Sequence, residues 1–203
     1  LTAYMFREWD NEDISVLVSG LENIESIAAE FPVDDSNYAN RSFEGVQALT
    51  EDDVSDVELT HGYNPNDATG VALFYQSAFS VDDHVGVFLL ADQTPVEASS
   101  PFYERTITDG EDCFPTQECE TMASENDVER KNILVDTEQQ ILKVWRWVEL
   151  ADGRMAIAGR TWQPALADSE KEDKIYQNYS VEMWIPNDAG TLRFFTTWSQ
   201  NSF

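Results

Sequence analysis

The feature that most constrains this chain is a change of period near residue 70. Beyond Gly70, apolar residues stop recurring every three or four positions and begin to alternate. They do so in runs bounded by turn residues: "GVALFYQSAF", "HVGVFLLADQ", "FYERTITDG", "RKNILVD", "QILKVWRWVEL", "RMAIAGRTWQP", "YQNYSVEMWIP" and "GTLRFFTTWSQ". Strand side chains point to opposite faces in turn, so these runs predict about eight strands. Two joints carry hairpin chemistry, "ADG" at 151–153 and "NDAG" at 187–190, because Asp-Gly and Asn-Asp tolerate the positive backbone angles of tight turns. The sheet is expected to be mainly antiparallel. The polar, acidic stretches 109–128 and 164–174 read as surface loops.

The first sixty residues have the other period. "NEDISVLVSGLENIESIAAEF" places Ile14, Leu17, Val18, Leu21, Ile24, Ala28 and Phe31 at spacings of three and four, an amphipathic helix. Asn11 is a candidate cap, and Glu12 and Asp13 suit the positive end of the helix dipole. "LTEDDVSDVEL" repeats the logic in a shorter helix, with Thr50 and Asp53 spaced as a capping box. "PVDDSNYANRS" between the two reads as loop. The expected fold is therefore α+β: a strongly curved or barrel-like, mainly antiparallel sheet with N-terminal helices packed on it. With no Gly- or Pro-rich linker and no internal repeat, residues 1–203 read as one domain, helical over 1–62 and sheet over 70–203.

Thirty-nine Asp and Glu against twelve Lys and Arg leave a net charge of -27. Such a field repels phosphate backbones and anionic lipid, so neither nucleic acid nor an anionic membrane surface is expected as a partner. The acidity suits a saline habitat as well as ordinary solubility. No apolar stretch approaches the length of a spanning helix and no charged-then-apolar leader is present; a start at Leu1 suits a processed end or a trimmed one. The Asp pairs and the "NPNDATG" turn lack the alternating-carboxylate spacing of a calcium loop, so no metal and no cofactor are expected. Cys113 and Cys119, in "DCFPTQEC", are too far apart for a two-residue redox motif, and His61 and His84 lie far away in sequence. Their acidic neighbours disfavour a thiolate. A disulfide that closes a small loop is the expected state, and with it a periplasmic or extracellular location.

The segment 141–164 poses the functional question, because it gathers three arginines, two of them on its strands, and three tryptophans in one hairpin of an acidic protein. With Ala151 to Gly153 as a three-residue loop, Arg146 lies across from Ala158 and Val144 across from Arg160. Arg146 and Arg160 then share a face with Leu142, Val148, Ala156 and Trp162, while Trp145, Trp147, Met155 and Ile157 take the other. A sheet apolar on both sides is covered on both. In the last hairpin, Tyr179, Val181, Met183 and Ile185 meet Leu192, Phe194, Thr196 and Trp198, and Trp184 falls beside Arg193 for a cation–π contact. The guanidinium groups of Arg146 and Arg160 need acceptors, which are either internal carboxylates or an anionic ligand.

Enzyme motifs are missing: no nucleophile elbow, no paired-histidine zinc motif and no phosphate-binding glycine loop. The expectation is a non-enzymatic secreted or envelope protein whose partner is a small apolar or amphipathic anionic molecule, bound by Arg146, Arg160, Trp145, Trp147 and Trp162. The alternatives are an interaction module with a solid core and acidic loops, and a hydrolase using His84 or His61 with nearby carboxylates.

Overall fold

The computed structural model describes residues 1–30, 41–97, 99–131, 136–167 and 174–202. Helices α1 (Thr2–Arg7) and α2 (Ser15–Glu30) lead into strand β1 (Arg41–Val46), followed by the helical turns Glu51–Val54 and Pro65–Asp67. Strand β2 (Thr69–Ser77), helix α3 (Val81–Phe88) and strands β3 (Phe102–Asp109), β4 (Thr121–Lys131), β5 (Asp136–Glu149), β6 (Met155–Trp162), β7 (Ile175–Asn187) and β8 (Gly190–Asn201) complete the order. All eight strands form one antiparallel sheet in the order β1-β2-β8-β7-β6-β5-β4-β3. The sheet curls without closing, and β1 and β3 are its edges.

Each face carries its own core. Helices α1 and α2 cover the first face: Met5, Phe6, Trp9, Leu17, Leu21 and Ile24 pack onto Val148, Ala156, Ala158, Tyr179, Val181, Met183, Phe194 and Trp198. Leu17, Leu21 and Ile24 sit at the expected spacing and are buried, worth about 1.5–3 kcal/mol each as an upper estimate. Asn11 and Asp13 lead into α2 through successive turns, the Asn11 side chain accepting from the Asp13 amide at 3.0 Å and the Asp13 carboxylate from the Ser15 amide at 2.9 Å. The Asp53 carboxylate accepts from the Thr50 amide and hydroxyl, as the capping-box spacing predicts. Helix α3 and the loop around Phe114 cover the second face, where Val81, Val85 and Phe88 meet Met122, Trp145, Trp147, Ile157 and Trp184.

The two hairpins have the register read from the sequence: Val144 opposes Arg160, Arg146 opposes Ala158, Tyr179 opposes Trp198 and Trp184 opposes Arg193. Gly153 and Gly190 adopt φ of +84° and +121°, the conformations those turns demand.

Three stretches differ from expectation, and a fourth is not described. "HVGVFLLADQ" is not a strand; it begins inside α3, whose Ser80–Asp83 capping box (amide to Ser80 Oγ 3.1 Å, Ser80 amide to the carboxylate 2.9 Å) starts a helix that buries Val81, Val85 and Phe88. Residues 121–128 are not loop but most of β4. Its buried positions are Met122, Ser124, Asn126 and Val128, and two of these four are polar, so hydropathy alternation is faint. Strand β1 lies within the part read as helical, and most of "RKNILVD" lies outside the described residues.

Candidate functional site

On the first face the arginines of the β5–β6 hairpin find their acceptors within the protein. Arg160 is buried; its guanidinium donates to the Phe6 carbonyl at 3.1 Å, to Asp10 at 2.9 Å and to Asp56, and it lies against the rings of Phe6, Trp9 and Trp162. Arg146 donates to the Trp9 carbonyl at 3.2 Å and to Glu120 at 3.1 Å. Arg154 adds a paired contact to Glu25 of α2. These arginines tie the N-terminal helical segment and the disulfide loop to the sheet, with a carboxylate for each cation. Trp145 and Trp147 point to the other side, so the five residues singled out in the sequence are divided by the sheet.

The second face holds a different arrangement. Lys143 on β5 and Arg193 on β8 both donate to the Glu182 carboxylate on β7, Arg193 at 3.2 Å. Arg105 on β3 adds a third positive charge nearby, held by the Asn126 side chain at 2.8 Å and the Phe88 carbonyl at 2.7 Å. Aromatic faces line the group. The Arg193 guanidinium lies 4.6 Å from the Trp184 ring and 5.2 Å from Tyr75; Arg105 lies 4.9 Å from Trp145; and the Lys143 ammonium lies 5.4 Å and 5.8 Å from Trp145 and Trp184. Phe88 of α3 stacks on Trp145 at 5.1 Å and meets Trp184 edge-on at 4.8 Å. Gly159 sits between Trp145 and Glu182 in the strand register, and a Cβ there would come within 3.0 Å of Trp184, so only glycine lets the ring cross.

Three cations thus surround the Glu182 carboxylate, while the Asp83 and Glu97 carboxylates act on His84 and Tyr75 beside the same group. Burial pushes the Glu182 carboxyl up, and Lys143, Arg193 and Arg105 outweigh it, so Glu182 titrates below the ordinary glutamate range. Among the described residues the indole N–H groups of Trp145 and Trp184, the Nε of Arg193 and the hydroxyl of Thr161 opposite Lys143 are buried without a partner, as are the Nε of Arg146 and Arg160 and the Trp162 indole on the first face. Lys143, Arg193 and Glu182 keep 12%, 20% and 10% of their side-chain surface in contact with solvent. On the β2 side the same face continues through Phe195, Leu73 and Val71, which are only partly covered.

Of these residues, the sequence offered Trp145 as a ligand contact and placed Trp184 by Arg193 and Glu182 by Phe195 on one face, but it did not single out Lys143 or Arg105. The available signal was a charged residue two positions before a tryptophan on the same strand face, Lys143 before Trp145 and Glu182 before Trp184.

The histidines are placed differently from a catalytic pair. His84 Nε2 lies 3.0 Å from the Ser77 hydroxyl, and burial, then Arg193, push its pKa down to about 4 against the pull of Asp83. The Asp83 carboxylate is engaged in the α3 cap. His61 Nε2 lies 3.3 Å from the Gln163 carbonyl, and burial lowers its pKa. Cys113 and Cys119 form a disulfide with Cα atoms 5.3 Å apart. It closes the loop that lays Phe114 on Trp147, ring centres 5.3 Å apart, with the Trp147 indole donating to the Phe114 carbonyl at 2.8 Å.

No protein-family model matches the sequence, and no curated protein does. Among solved structures, the fold is similar to a STAR-related lipid transfer protein (fragment 25-204) from Xanthomonas axonopodis, at 12% identity and a TM-score of 0.44, over 67% of this chain and 72% of that one. It is also similar to a Chromobacterium violaceum protein at 10% identity and a TM-score of 0.33, over 64% and 79%. At this distance neither neighbour assigns a ligand to the chain.

Proposed function

We propose that the protein is a non-enzymatic binder of a small amphipathic anion, held on the second face of the sheet. The observation that carries this is the group of Lys143, Arg193 and Arg105 about the Glu182 carboxylate, set against the faces of Trp145, Trp184 and Tyr75 and partly open to solvent. An anion with an apolar body matches the cations and the aromatic faces beside them. Lys143, Arg193 and Trp184 contact the head group. Trp145 lines its floor, and the partly covered Phe195, Leu73 and Val71 receive the apolar body. Arg146, Arg160 and Trp162 hold the N-terminal helices in this reading. The disulfide supports a periplasmic or extracellular location, and the chain works as one domain.

Tryptophan fluorescence tests the reading, since two tryptophans line the site. Decyl sulfate, titrated below its micelle concentration, should give a saturable change that decyltrimethylammonium does not, and Lys143→Met should weaken it about tenfold, the loss of one charged hydrogen-bonding partner. Equal responses to the two surfactants, or an unchanged titration in the variant, would rule the site out.

A further inference from the structure

We infer that the outer end of the first face is a docking site for a basic protein segment, an extended peptide in which an apolar residue is followed at alternate positions by lysine or arginine. The inference is independent of the anion reading, which concerns the other side of the sheet. Its basis is a groove of about 310 Å³ over β4 and β5, walled by Phe102 of β3 on one side and by Ala165 and Leu166, which follow β6, on the other. Phe102 and Leu166 are each 41% exposed, large apolar side chains left open to solvent.

The strand register places the charges. Phe102, Glu129 and Glu138 stand in one row across β3, β4 and β5; Glu104, Asp127 and Gln140 form the next row on the same face, and Glu125 stands in the row beyond. Among the described residues none of these five carboxylates has an ion pair. Lys131, the next residue along that face of β4, lies 3.5 Å from Asp136, and Arg130 alternates to the opposite face and reaches the Ser99 hydroxyl at 3.5 Å. Glu129 and Glu138 are direct cross-strand neighbours of like charge, an arrangement that costs stability and that a bound cation relieves. Acidity is general in this protein; what is local is its meeting with an open apolar groove.

Spacing selects the chemistry of the partner. Asp127 and Glu129 are two positions apart on one strand face, about 7 Å, and Glu125 to Glu129 spans about 13 Å. Alternate side chains of an extended peptide repeat at the same distance. With its apolar side chain seated between Phe102 and Leu166, the first cation of such a segment falls between Asp127 and the Glu129–Glu138 pair, and the second falls by Glu125. The groove also receives the aliphatic stem of the first lysine. A small monoamine does not reach across these carboxylates, and a polyamine reaches them but leaves the apolar walls bare.

The experiment titrates the intact, isotope-labelled protein with the peptide acetyl-Leu-Ser-Lys-Ser-Lys-amide at pH 7 in low salt and follows backbone amides by NMR. Saturable shifts should appear along β4 and β5 and at Leu166. Serine in place of the peptide's leucine should weaken binding about tenfold, the loss of one buried apolar side chain. Raising sodium chloride to about 0.5 M should weaken it several-fold. On the protein, Glu129→Gln combined with Glu138→Gln should cost about fivefold in affinity, and Phe102→Ser should narrow the gap between the leucine and serine peptides. These side chains are exposed or half-buried, so thermal melts should show folded variants; Leu166→Ser takes the place of Phe102→Ser if that variant melts early. Equal affinities for the leucine and serine peptides, spermidine binding as tightly as the leucine peptide, or shifts that lie away from β4 and β5 would each overturn the inference.

Discussion

Replacing Glu182 by Gln should destabilise the protein by about 3 kcal/mol at pH 7. The variant keeps the shape of the side chain and removes the one negative charge that Lys143 and Arg193 share. Breaking a buried pair by removing one partner costs about 3–5 kcal/mol, because the other charge remains buried without compensation. Two features hold the value at the low end: the cations keep 12% and 20% exposure, and Trp145 and Trp184 offer each a π face worth about 0.5–2 kcal/mol. In urea, with a slope of about 2–3 kcal/mol per molar, the midpoint should fall by about 1–1.5 M without a change of slope. The effect has a defined pH window. The folded-state pKa of Glu182 lies below its unfolded value, so its contribution is complete above the unfolded value of about 4.3 and is lost as pH falls through the folded one. Wild type and variant should therefore differ fully at pH 7 and converge only below about pH 4. The double variant with Lys143→Met should recover about 2 kcal/mol relative to the sum of the single effects, since the excess cation goes with its partner. A loss under about 1 kcal/mol, or strict additivity, would mean that Glu182 does not anchor the two cations.

Arg160→Met should lower stability by about 2 kcal/mol in the same urea assay, less than a buried pair would lose, because Asp10 and Asp56 keep 68% and 29% of their side-chain surface and rehydrate; a loss above about 4 kcal/mol would show that those carboxylates are sealed. Thiol counting under denaturing, non-reducing conditions should find no free thiol, and changing Cys113 and Cys119 to Ser should remove about 2 kcal/mol, the chain-entropy value for so short a loop. The same change should alter Trp147 emission as Phe114 loosens; free thiols in protein from an oxidising compartment would contradict it. On β4 and β5, Glu129 stands directly opposite Glu138, so Glu129→Lys should raise stability by about 0.5 kcal/mol, and a lower melting temperature would show that the like-charge pair is relaxed by its surroundings.

What could be read from the residues alone depended on where side-chain chemistry and backbone geometry spoke together. The β5–β6 and β7–β8 registers were legible because each hairpin pairs an alternating apolar run with a turn that fixes the offset, Gly153 in one and Gly190 in the other. The two-face division of Arg146 and Arg160 from Trp145 and Trp147 followed from that register. Strand β4 was hidden because Ser124 and Asn126 are buried for hydrogen bonding: Asn126 donates to the Ile141 carbonyl at 2.9 Å and accepts from Arg105 at 2.8 Å. Helix α3 was hidden because Val81, Val85 and Val87 have strand propensity, which its cap and its packing on Trp145 and Trp184 override. The site itself is assembled from β3, β5, β7 and β8, so no single segment contains it.

The two faces use charge in different ways, and the difference is why the proposed site is placed on the second. Across the first face Arg146, Arg154 and Arg160 meet Glu120, Glu25, Asp10 and Asp56, so charge is matched and the contacts hold elements together. Across the second face Lys143 and Arg193 share one carboxylate, Glu182, and lie against Trp145 and Trp184, within a protein whose overall field repels anions. At a Debye length of about 8 Å in physiological salt that repulsion is screened at a distance, whereas Lys143 and Arg193 act at contact range. A bare anion must still leave water against the net negative field. An anion with an apolar body offsets that cost by covering Val71, Leu73 and Phe195, each buried CH₂ contributing about 0.8 kcal/mol. On the proposed reading, the acidity of the surface and the cationic group beneath α3 together favour amphipathic anions over simple ions.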